Sequence, residues 1–244
     1  SISDIKKSLS GQNMIIQYND SLLEKASVQN NAFATNLTEA KIDTGGFYRK
    51  FTNEMNSSNM EANFKEGKLY SLVLSGMAKT LIHVIDDSLY MGKNVASGDS
   101  IIIIFNNESL NRIKVHGGGR GKFHPEPKNS SIDSTVTYES ELIDYHVQNE
   151  ESFFEKHAKV HYQESVLKSG YIHVDWRTNL LDATQKNGEL PSVQTNNEDP
   201  IAGDDFIFNL VSKRGIIKKG KTSLNDSYYH GEKIFRDKPN IIHV

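Results

Sequence analysis

Apolar and polar residues alternate along much of the chain, in pairs of short segments joined by polar turns. Residues 59–80 read NMEANFKEGKLYSLVLSGMAKT, and residues 100–121 read SIIIIFNNESLNRIKVHGGGRG. A period of two residues is typical of a strand with one buried face, and the turns KEGK and NNES contain the Gly and Asn that favour tight hairpins. The pattern therefore predicts an antiparallel sheet built from hairpins, with helix confined to short pieces.

These two segments are copies of one repeat. A shift of 41 residues aligns the first with the second, and a shift of 46 aligns a weaker, earlier copy with the first. The aligned pairs are Phe64 with Phe105, Leu69 with Leu110, Leu72 with Ile113, Leu74 with Val115 and Gly76 with Gly117, and, in the weaker copy, Tyr18 with Phe64, Leu23 with Leu69, Ala26 with Leu72 and Val28 with Leu74. Further copies lie around residues 143–162 and 206–222. A period of about 40 residues is typical of stacked repeat units.

Two proline-containing stretches interrupt the alternation. HPEPKNSS, at residues 124–131, predicts a boundary between modules. KNGELPSVQTNNEDP, at residues 186–200, predicts a long loop inside the second module, because alternation resumes at Phe206. We therefore expect one β-repeat module at residues 1–127 and another at residues 128–244, with the second continuous with the first.

Composition and charge exclude several classes of function. The absence of cysteine excludes disulfides, thiolate metal sites and cysteine nucleophiles. The net charge is −3, with 15 basic and 13 acidic residues at positions 1–130 and 13 and 18 at positions 131–244. Neither half has the overall positive charge of a nucleic-acid-binding protein. The hydrophobic share of 36% is low for a chain that must fill two independent cores.

The candidate motifs for chemistry are weak. His157 and His161 have the spacing of a zinc-binding helix, but on a strand they would lie too far apart to share one ion. The run GGGRG at residues 117–121 lacks the lysine and the serine or threonine that end a phosphate-binding loop. It is better explained as a β-bulge. No nucleophile motif or carboxylate pair is present. We therefore expect no catalytic residue, no metal and no cofactor.

The N-terminal segment NMIIQYN, at residues 13–19, is apolar, nearly uncharged and free of proline. Such a strand is poorly suited to a solvent-exposed sheet edge, because unpaired edges associate unless they are charged, short or covered. We therefore predict that it docks by strand addition onto a neighbouring chain. The residues predicted to dock are Met14, Ile15, Ile16 and Tyr18.

The second half of the chain resembles a known family. At residues 134–183 a strand pair ends in a small residue, an alternating strand follows, and the segment Tyr171–Trp176 comes next. This stretch is similar to the OstA-type domain of the lipopolysaccharide transport family, in the form of the N-terminal periplasmic region of the assembly protein LptD. Residues 206–234 resemble the next unit of that family, and residues 59–124 resemble an upstream OstA-like, or LptA-like, module.

The resemblance implies a slotted antiparallel β-jelly-roll (a β-taco) in the periplasm of a Gram-negative bacterium. Its apolar groove would bind lipid A acyl chains and pass them along a bridge toward the outer membrane. The implied partners are lipopolysaccharide or a similar amphiphilic lipid, other OstA-type Lpt proteins joined head to tail, and a second copy of the chain. The resemblance also leaves open whether the protein is tethered to the outer membrane through a C-terminal barrel that this sequence does not contain. The residues expected to line the groove are Leu72, Leu74, Ile101, Ile103, Phe105, Ile113, Val115, Ile172, Val174, Trp176, Phe206 and Phe208.

Two other classes of protein remain as alternatives. A carbohydrate-binding or adhesive extracellular β-repeat protein would have a filled core and ligands on its loops, with aromatic residues clustered there. Most aromatic residues of this chain lie instead in the alternating segments. An enzyme on a β-solenoid would need carboxylates clustered on one strand face, and the sequence shows no such cluster.

Overall fold

The computed structural model describes the backbone of residues 2–3, 7–107, 109–196, 199–224, 227–238 and 241–243. Side chains are described for residues 7–107, 109–196, 199–221 and 230–235. The chain divides into two compact units, residues 1–133 and 134–244. No helix in the described residues is long and apolar enough to cross a membrane.

All regular elements of the described chain are β-strands. The first unit contains β1 (Ile2–Ser3), β2 (Lys7–Ser10), β3 (Asn13–Asn19), β4 (Leu22–Lys41), β5 (Tyr48–Lys65), β6 (Lys68–Asp86), β7 (Leu89–Asn106) and β8 (Ser109–Pro125). The second contains β9 (Val136–His146), β10 (Glu151–Tyr162), β11 (Ser165–Asp175), β12 (Leu180–Thr184), β13 (Ser192–Thr195), β14 (Ile201–Ala202), β15 (Asp205–Asn209), β16 (Gly215–Leu224), β17 (Ser227–Lys238) and β18 (Ile241–His243). The predicted fold class, all-β and antiparallel from repeated hairpins, is confirmed.

In the first unit, strands β3 to β8 form an antiparallel meander in which each strand pairs with the next. The long strand β4 has two partners on its other side. β3 pairs with residues 22–29, and β2 pairs with residues 33–36. The interruption between these two partners falls at residues 11–12, which belong to no strand.

The long even-numbered strands of the first unit are interrupted near their middle by a β-bulge. Each bulge adds one residue relative to the neighbouring strand and contains two residues with positive φ. These pairs are Asn30 and Asn31 in β4, Gly76 and Met77 in β6, and Gly117 and Gly118 in β8. The three bulges are separated by 46 and 41 residues, the same shifts that align the sequence repeats. The repeat unit is therefore a strand pair whose second strand is bulged.

The hairpin ends repeat in the same way. Across each hairpin an aromatic residue pairs with a leucine, next to a second shift in register. The three pairs are Tyr18 with Leu23, Phe64 with Leu69, and Phe105 with Leu110. These are the residues that the two sequence shifts align. Each copy of the repeat therefore has the same local structure at its hairpin end.

Rows of apolar side chains cross the sheet of the first unit on its buried face, because residues directly opposite one another on paired strands share a face. One row is Met14, Val28, Met60, Leu74, Ile101 and Val115, and the next is Ile16, Ala26, Ala62, Leu72, Ile103 and Ile113. Beyond the bulges, a row of mostly smaller residues follows: Leu9, Ala34, Met55, Thr80, Ala96 and Gly121. Large aliphatic residues are therefore concentrated on the hairpin side of the bulges.

Contacts distant in sequence join the other ends of the first unit's strands. The Lys41 amide donates a hydrogen bond to the Ser88 carbonyl at 2.8 Å, beside the parallel contact between Lys41 and Leu89. The side-chain amide of Asn129 donates to the carbonyls of Ile42 and Tyr90, both at 2.7 Å. The end of β4 is thus bonded to the start of β7, three strands further along the meander.

The second unit follows a similar plan with shorter strands. β9, β10 and β11 form a meander, and β10 carries a bulge at Lys156 and His157, both with positive φ. β11 then pairs with β12 along one half and with β13 along the other. The stretch predicted as one long loop, residues 186–200, thus contains a strand, because residues 192–195 complete the sheet beside β11.

A long row of mostly apolar residues crosses the second unit. It consists of Ile143, Phe154, Ile172, Ala183, Phe206, Ile217 and Ile234 on seven successive strands. All seven are buried. The neighbouring row is Ser152, Val174, Leu181, Phe208 and Gly215. Both units therefore bury one apolar face that runs across their strands.

Candidate functional site

Ten of the twelve residues predicted to line a groove lie in the buried rows. Leu72, Leu74, Ile101, Ile103, Ile113 and Val115 occupy two adjacent rows of the first unit, and Ile172, Val174, Phe206 and Phe208 occupy two adjacent rows of the second. All ten are buried. The two groups thus form one contiguous apolar patch within each unit.

The remaining two residues, Phe105 and Trp176, are half-buried. Phe105 lies at a hairpin end, after the shift in register between Ile104 and Phe105. Trp176 follows the last residue of β11 and lies in a turn. Its ring Nε1 donates a hydrogen bond to the Ser152 hydroxyl at 2.8 Å. The alternation that placed Trp176 on a strand face therefore stops one residue before it.

The turn around Trp176 is fixed by Asp175. Its carboxylate accepts hydrogen bonds from the backbone amides of Arg177 at 2.9 Å and Thr178 at 3.2 Å. Partial desolvation would raise the pKa of Asp175, but the hydrogen bonds from Thr178 and Arg177 outweigh it and lower the pKa below its ordinary value. Asp175 is therefore a charged, structural residue of the turn.

An apolar cleft opens in the second unit. Its lining residues are Val160, Tyr162, Ser165, Leu167, Leu181, Val193, Phe206, Phe208 and Leu210, and its cavity volume is about 20 Å³. Phe206 and Phe208 were predicted from the sequence to line a groove, and the other residues were missed. Alternation in β10 carried the signal for Val160 and Tyr162, since both are buried and two residues apart. Val193 belongs to the strand within the predicted loop.

The β3 edge exposes apolar side chains. Ile15 is 56% exposed, Tyr18 is 64% exposed and Ile16 is 39% exposed, whereas Met14 is half-buried. Met14 and Ile16 lie at the ends of the two apolar rows, opposite Val28 and Ala26. In the described part of the chain, β3 pairs with β4 alone. All four residues predicted to dock thus lie on a strand for which the described residues provide one paired edge, and three of the four are exposed.

The two histidines with metal-ligand spacing have other partners. The His157 backbone amide donates to the Glu189 carboxylate at 3.1 Å, and its ring Nδ1 lies 3.2 Å from that carboxylate. The His161 ring Nε2 lies 2.7 Å from the Gln163 carbonyl. Among the residues that the structure describes, no group of three histidines or carboxylates could hold a metal ion.

The glycine run in β8 is a bulge. Gly117 has a φ of +76° and Gly118 a φ of +60°, and the register to β7 shifts between Ser97 and Ser100. A Cβ on Gly117 would lie 2.6 Å from Cβ of Asp99. Only glycine fits both the backbone conformation and this close approach, so the sequence-based interpretation of this run is confirmed.

Comparisons with known proteins give one similarity. No protein-family model matches the chain, and no curated protein does either. Among solved structures, the chain is similar to LptH from Pseudomonas aeruginosa, the LptA-homologous periplasmic component of the conserved lipopolysaccharide transport device. The two are 12% identical, with a TM-score of 0.42, over 56% of this chain and 84% of LptH. What the chain binds must therefore be inferred from its own residues.

Proposed function

We propose that the protein is a periplasmic lipid-transport module whose apolar interior binds the acyl chains of lipopolysaccharide or a similar amphiphile. The observation that carries the proposal is the continuity of the buried apolar rows across successive strands. In the second unit such a row crosses seven strands without a charged residue. A surface of this kind offers an acyl chain one apolar environment along its whole length. Each buried CH₂ contributes about 0.8 kcal/mol.

Acyl chains would enter at the cleft of the second unit, where apolar side chains border space open to solvent. The rest of the interior is packed, since Leu74, Ile101 and Ile172 are fully buried. Acyl chains would therefore advance by separating apolar side chains that pack against one another and by making equally apolar contacts with them. The process needs no catalytic group, and its direction would come from elsewhere in the transport pathway.

The exposed β3 edge supports a role in a larger assembly. The backbone groups on its open side, which no described strand pairs with, would bond to the edge of another OstA-type protein or of a second copy, and Ile15 and Tyr18 would pack against that partner. Head-to-tail joining would bring the apolar face of one chain next to that of the next, because Met14 and Ile16 extend the apolar rows to this edge. Such an assembly would form a bridge toward the outer membrane.

Photocrosslinking tests the lipid-binding proposal. A photoreactive amino acid at Phe208, 8% exposed and lining the cleft, should form crosslinks to lipopolysaccharide at least several-fold more often than one at Ile207, 37% exposed and on the opposite face. The two positions are adjacent in sequence, so expression and local backbone are matched. Equal crosslinking from both would contradict binding on the apolar face, and crosslinking to free polysaccharide alone would favour the carbohydrate-binding alternative.

Light scattering across a concentration series tests docking at β3. The double variant Ile15→Lys with Tyr18→Lys should self-associate, or bind an OstA-type partner, at least about tenfold more weakly, because charged side chains guard a strand edge. The matched control is Tyr70→Lys, which adds a charge at an exposed position of β6, a strand paired on both sides. A wild-type chain that stays monomeric and binds no such partner would exclude the assembly role.

A further inference from the structure

The apolar cleft of the second unit is too small to hold an acyl chain in this structure. Its cavity volume is about 20 Å³, which is room for about one water molecule. By comparison, a cavity of about 150 Å³ takes one benzene molecule. The walls are closely packed, since Val160, Leu167 and Leu181 are all buried. An acyl chain can therefore enter only if one wall of the cleft moves.

β13 is the lining strand with the weakest attachment to the sheet. β10, β11, β12 and β15 each pair with a neighbour on both sides, and β12 does so along all five of its residues. β13 has four residues, which pair with residues 165–168 of β11. On its other side, Ser192 and Val193 pair with β14, a strand of two residues that pairs with β16 at Ala202 and Lys221. Elements held by such short ladders open locally at a lower free energy than the middle of a sheet.

The chain is held firmly just before β13 begins. The Glu189 carbonyl accepts a hydrogen bond from the Gly170 amide at 3.3 Å, and the Glu189 carboxylate accepts one from the His157 amide at 3.1 Å. Pro191 is fully buried, and its carbonyl accepts a hydrogen bond from the Gly203 amide at 3.1 Å. These bonds keep the start of β13 in place, so this end can serve as a hinge.

The other end of β13 is held at the protein surface. The Asn196 amide donates a hydrogen bond to the Glu164 carbonyl at 2.9 Å, and both residues are exposed. The hydroxyl oxygens of Ser165 and Thr195 lie 3.2 Å apart. Water can replace hydrogen bonds at exposed positions at little net cost, because each group then bonds to water instead. The Thr195 end of β13 can therefore separate from β11 while the Pro191 end stays in place.

We propose that β13 is the movable wall through which an acyl chain enters the cleft. The inference rests on the proposed function and adds the place and manner of entry. Val193 lies directly opposite Leu167, and both are buried. Separating them exposes apolar surface to water, which disfavours opening when no ligand is present. An acyl chain between them removes that cost, so the ligand shifts the equilibrium toward the open wall that it binds.

A reversible disulfide between β11 and β13 tests the movable wall. The chain contains no cysteine, so an introduced pair is the only one that can form. The lock variant is Val166→Cys with Gln194→Cys, two directly opposite residues on the face away from the cleft. Opposite residues of antiparallel strands have Cα atoms about 4.5–5.5 Å apart, within the range that a disulfide spans. The control variant is Ser8→Cys with Thr35→Cys, an opposite pair on β2 and β4 of the first unit.

Binding is measured with a dansyl-labelled fatty acid and with lipid A, before and after reduction with dithiothreitol. We expect the oxidised lock variant to bind both probes at least about tenfold more weakly than its reduced form, because the open state is then rarely populated. The oxidised control variant should match the wild type. Hydrogen exchange of the wild type gives a second measurement. Residues 192–195 should exchange faster than residues 180–184, which pair with the same strand.

The outcomes separate this inference from the proposed function. A wild type that binds neither probe contradicts the proposed function, and this inference with it. A wild type that binds the probes, together with an oxidised lock variant that binds them equally well, overturns the movable wall alone. So does an equal loss of affinity in the two oxidised variants, or exchange at residues 192–195 that is as slow as at residues 180–184. Hydrogen exchange needs no substitution, so it decides the question if the lock variant does not fold.

Discussion

Ile103→Asp should leave the first unit unfolded at 25 °C. Ile103 is 1% exposed and stands between Leu72 and Ile113 in a buried row. Losing its aliphatic side chain alone would cost about 2–5 kcal/mol, and an unpaired charge in the same place costs several more. Since the whole free energy of unfolding of a domain is about 5–15 kcal/mol, most of it would be lost. Circular dichroism with urea titration measures the effect.

The control for Ile103→Asp is Ile102→Asp on the same strand. Ile102 lies on the opposite face and is paired with Lys114, so the new carboxylate would meet a positive charge. We expect its free energy of unfolding to differ from the wild type by less than about 1 kcal/mol. Similar losses in the two variants would show that alternation does not separate a buried face from an outward face here.

Gly117→Ala should lower the free energy of unfolding by about 2–5 kcal/mol. The residue keeps a φ of +76°, which costs an L-residue about 1–2 kcal/mol, and its new Cβ would lie 2.6 Å from Cβ and Cγ of Asp99. Relieving such a contact in a packed sheet costs about 1–3 kcal/mol more. Thermal and urea unfolding of the variant check the value.

Gly118→Ala is the matched control, because its φ is +60° and no atom lies within 4 Å of the added Cβ. It should show only the backbone cost, about 1–2 kcal/mol. Combining Gly117→Ala with Asp99→Gly should recover part of the loss, since the obstructing side chain is then absent. Equal losses for Gly117→Ala and Gly118→Ala would rule out the close approach of Asp99 as the cause.

The positions of the strands, turns and repeats could be predicted from the sequence because they depend on local patterns. A period of two, polar turns and the shifts of 41 and 46 residues each depend on neighbours within one hairpin, and the structure repeats its bulges and hairpin ends at those same shifts. The buried rows follow from the same alternation. Even Gly117 could be assigned to a bulge, because it aligns with Gly76 in the preceding copy.

Features that depend on tertiary contacts or on unusual local bonding were not predicted. Residues 192–195 lie in a polar stretch with two prolines, yet they form a strand because β11 supplies a partner. Alternation placed Trp176 on β11, but the Asp175 carboxylate accepts hydrogen bonds from the amides of Arg177 and Thr178, and a turn begins at Trp176.

The side chain of Asn129 has a consequence for how the first unit folds. In a meander, each strand can be added once its predecessor is in place, so most of the sheet can form progressively from short-range contacts. The Asn129 amide instead joins residues 87 and 39 positions away in sequence. The two bonds together need the strands from β4 to β8 in their native places, because Ile42 follows β4, Tyr90 lies in β7 and Asn129 follows β8. We therefore expect the Asn129 hydrogen bonds to form late in folding, once the meander from β4 to β8 is complete.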